Sequence, residues 1–285
     1  MPEGRQTAHR GAVSTPCGPR GAALGTAVEA GLAGTQATFI EVLMPTSAEP
    51  KPRRFFLFRL LILVLIALSA AFLLRQGMIP AVINPLPALD LSQADPWFVD
   101  WRLSAVRHDP GLCRRILAQP QITAEPIPDN PPKDGCGWTN SVRMTAAGGV
   151  HAAFDKATCE AASALALWLT HGVQPLAQEM FAQRVTSIQT FGSYACRNII
   201  GNPLWKEIRS EHATANALDI SAFTLAGGRQ ISVAQHWKGT GVEGRFLRAV
   251  HAQACRYFHV VLGPDYNAAH HNHFHLDRGL FWRCS

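Results

Sequence analysis

Several familiar chemistries are missing from this chain. It has no Gly-x-Ser-x-Gly elbow and no glycine-rich loop of the kind that cradles phosphate, so serine-hydrolase and nucleotide-binding readings lack support. None of its seven cysteines forms a Cys-x-x-Cys pair, which leaves a cysteine-built zinc site without a spacing to rest on. No internal repeat is visible. Clustered basic charge is also absent. The formal net charge is +6, but residues 1–75 hold 8 Lys/Arg against 4 Asp/Glu and the remainder holds 18 against 16. That near balance, with the basic residues scattered, argues against a nucleic-acid partner. The first 50 residues lack an apolar period. Rich in Gly, Ala, Thr and Pro, they read as disordered or as a mis-assigned N-terminus, with Met44 an alternative start.

Beyond residue 50 the chain is strongly patterned. Lys51, Arg53 and Arg54 precede Phe55–Leu74, a run of twenty residues whose only charge is Arg59. About 20 apolar residues cross a bilayer core. Positive charge before the run keeps the N-terminus cytoplasmic and sends the rest across. Residues 51–75 are therefore a membrane anchor, or else a cleaved signal with Ala67-Leu68-Ser69 as its cleavage site. Either way the C-terminal part is exported, and a retained anchor makes the protein single-pass in the inner membrane with a periplasmic domain. Six cysteines lie beyond the run: Cys113, Cys136, Cys159, Cys196, Cys255 and Cys284. An even number in an oxidising compartment implies three disulfides, whose pairing the sequence leaves open. Cys17 stands apart.

Residues 76–104, proline-rich with Trp97 and Trp101, read as a linker, and residues 105–285 as the folded domain. Residues 119–135 have loop composition. Apolar spacing predicts helices over 156–170, from Pro175 to about Arg184, and over 243–258. Strands are expected at 185–190, 217–224, 229–233, 259–262 and 273–276, with Gly227-Gly228 as a hairpin turn. The pattern predicts an α+β fold with a small, mainly antiparallel sheet and packed helices.

Four histidines crowd the C-terminus, in Ala269-His270-His271-Asn272-His273-Phe274-His275. Upstream, Ser210-Glu211-His212 is followed by Asp219. Residues i and i+2 of a strand share a face, so His273 and His275 would face one site while Phe274 packs behind. Leu218 and Ile220 would point into the core and aim Asp219 at the same site. Imidazole and carboxylate donors suit a borderline cation such as Zn²⁺. Spacing alone leaves open whether these residues bind metal or serve the structure.

Three strings sharpen the reading: Gly192-Ser193-Tyr194-Ala195-Cys196-Arg197-Asn198, Ser210-Glu211-His212 through Asp219-Ile220, and Leu262-Gly263-Pro264-Asp265-Tyr266 through His275-Leu276-Asp277. From about Cys113 to Cys284 the chain resembles the bacterial extensin-like C-terminal domain family. Those domains look like relatives of the zinc D-alanyl-D-alanine peptidases and of hedgehog-type domains. The resemblance implies a metallopeptidase-like fold with His212, Asp219 and His275 as zinc ligands. It also implies His273, Arg197 and His270 as catalytic residues, with Arg197 on a substrate carboxylate or carbonyl. One departure stands out: Asn272 occupies a position that is Glu in many such peptidases. The implied activity is zinc-dependent hydrolysis of peptidoglycan stem peptides or crosslinks, the partner a peptidoglycan peptide. The alternative is a zinc-containing binding module or envelope structural module that does not cleave. Asp277 is expected to orient a ligand imidazole. His271 is expected to face away, and His151, His171, His236, His251 and His259 to be ordinary surface or core residues.

Overall fold

The structure is a computed structural model that describes residues 52–79, 86, 88–94 and 98–285. The readings of residues 1–50, with Met44 and Cys17, and of Trp97 lie outside the described residues. The apolar run forms helix α1 (Pro52–Arg75). Within it, Phe55–Arg75 spans 21 residues at a mean hydropathy of 2.7 with none of it buried, long and apolar enough to cross a membrane.

Helices α2 (Val99–Val106) and α3 (Pro110–Leu117) come next. Asp109 caps α3, accepting from the backbone N–H of Gly111 at 2.8 Å and of Leu112 at 2.9 Å. The segment expected as a linker is not free: Leu89, Leu91 and Leu103 are buried in the main core. Their lack of period hid them. The irregular backbone at 89–91 is satisfied by side chains: the Gln119 amide donates to the Leu89 carbonyl at 2.9 Å and accepts from Leu91 N–H at 2.7 Å, and His171 Nε2 lies 2.9 Å from the Leu91 carbonyl.

Eleven strands follow among the described residues: β1 (Ile122–Pro126), β2 (Asn130–Lys133), β3 (Cys136–Trp138), β4 (Ser141–Ala147), β5 (Val150–Thr158), β6 (Val185–Gly192), β7 (Ala217–Leu225), β8 (Gln230–Ser232), β9 (Val260–Leu262), β10 (Phe274–Asp277) and β11 (Arg283–Cys284). Nine form one sheet in the order β1-β4-β5-β6-β7-β10-β9-β11, with β8 paired to β7. β5–β6 and β9–β11 are parallel and the other pairs antiparallel. The fold is α+β as expected, but the sheet is large and mixed rather than small, with most of its pairs antiparallel.

Two causes account for the difference. β1 and β2 lie in the proline-rich stretch taken as a loop; β1 is an edge strand, where a proline at the end sacrifices little of the ladder. In β5 the alternation is present, with Val150, Ala152 and Phe154 buried between exposed neighbours, but alanines blunt it. The helix expected from Lys156 begins only at Cys159, because Thr158 caps it by accepting from Ala161 N–H at 3.2 Å.

That helix, α4 (Cys159–Trp168), is buried at all ten positions, as an apolar helix must be. A π-turn at Leu169–Val173 joins it to α5 (Gln174–Phe181), with Pro175 in the first turn. α6 (Val233–His236) is a single turn. α7 (Val242–Ala254) buries Phe246, Leu247, Val250 and Ala254 along one stripe. These side chains share one core with Leu218 and Ile220 of β7 and with Phe274 and Leu276 of β10. Disulfides Cys113–Cys159, Cys136–Cys196 and Cys255–Cys284 brace the domain. Closing loops of these lengths contributes on the order of 3–5 kcal/mol each.

A buried ion network ties the elements together. Arg278, just after β10, donates to Glu160 of α4 at 2.9 Å and to Asp100 of α2 at 2.8 Å. Arg107 donates to the other oxygen of Glu160 at 2.6 Å, and His259 lies 2.6 Å from Asp100. Arg278→Ala should destabilise the detergent-solubilised chain by about 3–5 kcal/mol in urea unfolding, because two carboxylates lose a buried partner. A loss below about 1 kcal/mol would mean that the network contributes little. Burial opposes ionisation of Asp100, but the hydrogen bond with His259 and the Arg278 charge outweigh it and hold the carboxyl at about 2. A depressed carboxylate stabilises above its ordinary pKa of 3.8, and that stability is lost as pH falls toward 2. Asp100→Asn should therefore flatten the acid limb of stability by about 2 kcal/mol over that window.

Candidate metal centre

β7 and β10 set the centre. Their register places His275 directly opposite Asp219. Opposed residues in an antiparallel pair share a face and lie within side-chain reach. Leu218, Ile220, Phe274 and Leu276, the alternate residues, enter the core. His212 arrives from the 3-10 turn Glu211–Thr214, which Ser210 caps by accepting from His212 N–H at 3.3 Å. Ala215, at φ 57°, then turns the chain toward β7.

The three side chains converge. His212 Nε2 lies 3.1 Å from His275 Nδ1 and 3.1 Å from Asp219 Oδ2, and His275 Nδ1 lies 3.1 Å from Asp219 Oδ1. All three residues are buried. The outer ring atoms decide the tautomers. His212 Nδ1 is 3.1 Å from the Ser193 carbonyl, and His275 Nε2 is 3.0 Å from Asp277 Oδ2. Both partners only accept, so those nitrogens carry the protons and the inner nitrogens present lone pairs. Two lone pairs and a carboxylate then face one another with no donor among them. A divalent cation resolves that arrangement: a tetrahedral ion at about 2.0–2.2 Å spaces its ligands roughly 3.3–3.6 Å apart, a few tenths of an ångström more than the separations here.

The electrostatics express the same need for a positive charge, which a proton on His275 Nδ1 supplies where no cation is held. Burial would raise the Asp219 carboxyl, but hydrogen bonds with His212 and His275 outweigh it and hold it far below the usual carboxylate range. Burial would lower His275, but hydrogen bonds to Asp219 and Asp277 push it up to about 10. Asp277 is itself fixed, accepting from Gly279 N–H at 2.9 Å.

His273 lies one residue ahead of β10 rather than inside a strand, yet it still reaches the centre, with Nε2 3.7 Å from Asp219 Oδ1. Its Nδ1 is 2.9 Å from Asn272 Oδ1, so Nδ1 donates to the amide oxygen and Nε2 faces the cleft. Burial lowers its pKa. His270 packs 5.3 Å from His273, ring to ring, and its Nδ1 is 2.7 Å from Asn267 Oδ1. Burial, with the charges of His275 and His273, lowers His270 to about 4. Arg197 lines the same cleft, half-buried; its guanidinium donates to the adjacent Asn198 carbonyl at 3.3 Å and meets no carboxylate among the described residues. His271 is exposed, and His151, His171, His236, His251 and His259 lie away from the cleft lining.

Two features escaped the sequence reading. Glu211 lines the cleft beside His212, its pKa raised by burial and by the charge of Asp277. Adjacency to His212 was the available signal. The second is an apolar wall. The cavity, about 480 Å³, runs from the histidines past Ile199, Ile200 and Ile208 to Trp205 and Phe281, whose rings stack at 4.6 Å. The loop bearing Arg197 and this wall doubles back on itself, with Ile199 N–H on the Ile208 carbonyl and Ser210 N–H on that of Arg197. The Cys136–Cys196 disulfide pins it beside Arg197.

Fold and cleft together define an α+β domain with a candidate divalent-ion centre of two imidazoles and one carboxylate. The extensin-like protein C-terminus family matches residues 111–285, and the chain belongs to that family. No curated protein and no solved structure matches the chain.

Asp277→Asn should weaken zinc binding about 10–100-fold in a competition titration, since it removes the charge that orients His275. His212→Ala should abolish binding in the same assay. Wild-type affinity in both variants would reject this centre.

Proposed function

We propose that the protein is a zinc-dependent hydrolase of peptidoglycan stem peptides or crosslinks, of the D-alanyl peptidase type. In this reading α1 holds it in the inner membrane and the domain is periplasmic. The observation that carries the proposal is the triangle of three electron-pair donors on the cleft floor, with Arg197 facing the same space and meeting no carboxylate among the described residues. The likeness to D-alanyl peptidases seen in the sequence supplies the substrate class. Six cysteines joined in pairs support an oxidising compartment. Lys51, Arg53 and Arg54 before the apolar run Phe55–Leu74 support the orientation.

The roles follow from position. His212, Asp219 and His275 would hold the ion. When bound, zinc supplies Lewis acidity, polarising a carbonyl and bringing the pKa of water toward about 7. His273 Nε2, left as the basic nitrogen because Nδ1 donates to Asn272, takes a proton from the attacking water and returns it to the leaving amine. Arg197 binds a peptide carboxylate by paired hydrogen bonds. His270 closes the polar side of the cleft, and the isoleucine wall excludes water from the scissile bond.

Asn272 favours a second reading. It cannot take up a proton where many related peptidases have Glu, and a domain that grips peptide without cutting it would tolerate that change. Digestion of purified sacculi decides between the two. Wild type should release peptide fragments in a chelator-sensitive manner. His273→Ala should lose general-base catalysis, about 10²–10⁴-fold in rate, while keeping its zinc. Identical muropeptide profiles for wild type and His273→Ala would remove catalysis and leave the binding module.

A further inference from the structure

Helix α1 does not end in a free tether. Its last residue, Arg75, stacks 4.7 Å over the Trp282 ring, and its guanidinium lies 4.0 Å from the Asp100 carboxylate. The next residue, Gln76, accepts from Arg107 at 3.5 Å. Gly77 follows at φ 68°, so close to α2 that a Cβ would stand 1.8 Å from the Ser104 carbonyl; only glycine fits there. The domain is thus clamped to the end of the apolar helix.

The surface beside that clamp is apolar and exposed. Leu280, Phe281 and Trp282 are 66%, 48% and 51% exposed. Leu204 at 87% and Ile200 at 55% extend the apolar surface along the cleft loop. Contiguous exposed apolar surface marks a contact site, and its place selects the occupant. Leu280 shares a cavity of about 750 Å³ with Phe72, Met78 and Ile79. Phe72 lies within the apolar span itself, so Leu280 sits beside the C-terminal end of that span. Trp282, flanked by Arg75 and Arg283, has the amphipathic character of an interfacial anchor. Leu280 also lines the candidate metal cleft.

We propose that the Leu280–Trp282 segment rests in the bilayer interface, so that the cleft opens onto the lipid headgroup layer and takes a stem peptide carried on a membrane lipid. The membrane seat stands on the geometry alone; the substrate rests on the hydrolase reading. A peptide on a lipid carrier meets the cleft along Phe72 and Leu280, with its apolar part against them and its carboxylate toward Arg197.

Two measurements on the full chain in phosphatidylcholine nanodiscs test it. The first is tryptophan quenching by lipid brominated high on the acyl chain. Quenching should fall roughly by half in Trp282→Phe and in the double variant Leu280→Asp/Phe281→Asp. Equal fractional quenching in wild type and Trp282→Phe would overturn the seat. The second compares one stem pentapeptide with and without an acyl tail, the tailed form placed in the nanodisc. The tail should lower KM at least about tenfold in wild type, equivalent to roughly 1.4 kcal/mol, and the double variant should erase the preference. Equal KM for both peptides would overturn the lipid-linked substrate. Failure to cleave either peptide would reject the hydrolase reading, and the quenching result would still decide the seat.

Discussion

The register between β7 and β10 is the constraint on which the site depends. Pairing Asp219 with His275 sends both to the cleft and sends Leu218, Ile220, Phe274 and Leu276 to the core. A slip of one residue would bury a carboxylate and an imidazole among aromatic rings and expose four large apolar side chains. The hydrophobic effect therefore fixes the polar centre: burial of the flanking residues, each worth about 1.5–3 kcal/mol, holds the register that brings the donors together. Phe274 is wedged between Phe223, Trp237 and His251, which makes β10 hard to shift.

Behind the centre, alternation continues into charge. Asp277 shares a face with His275 and receives its outer N–H. The next residue, Arg278, turns the other way and joins Glu160 and Asp100. One end of β10 is thus held by hydrogen bonds to the chemistry and by ion pairs to α2 and α4. A buried ion pair is a weak source of net stability but a strong specifier of position, because a misplaced partner leaves a bare charge in the interior. The network that fixes β10 also receives Arg75 at the end of α1, through Asp100. The clamp on the apolar helix and the support of His275 are parts of one structure.

Much of this was legible in the chain. Apolar residues around Asp219 and around His275 announced two strands with one polar face, and the hairpin at Gly227-Gly228 and the stripe of α7 followed the expected periods. The six cysteines beyond the apolar run do form three disulfides, and only the folded chain says which pairs. What was hidden has physical reasons. The edge strands β1 and β2 carry prolines that composition assigns to loops, and β5 alternates with small alanines that carry little signal. Leu89 and Leu91 enter the core without a period, because their backbone is satisfied by side chains such as Gln119 rather than by a regular ladder. Long-range partners such as Arg278 and Glu160 leave no local trace at all.

In the hydrolase proposed above, Asn272 departs from the glutamate that the resemblance implies and would still serve the same chemistry. A carboxylate beside His273 would accept its Nδ1 proton and also stabilise the protonated ring, raising its pKa. An amide oxygen accepts the same proton and fixes the same tautomer without adding charge. With Asn272 at 2.9 Å and the ring largely buried, His273 is shifted down and stays neutral with Nε2 toward Asp219. The substitution removes a proton acceptor from one position and leaves the neighbouring imidazole in its basic form. The capacity to accept a proton is therefore displaced by one residue along the chain rather than lost from the cleft.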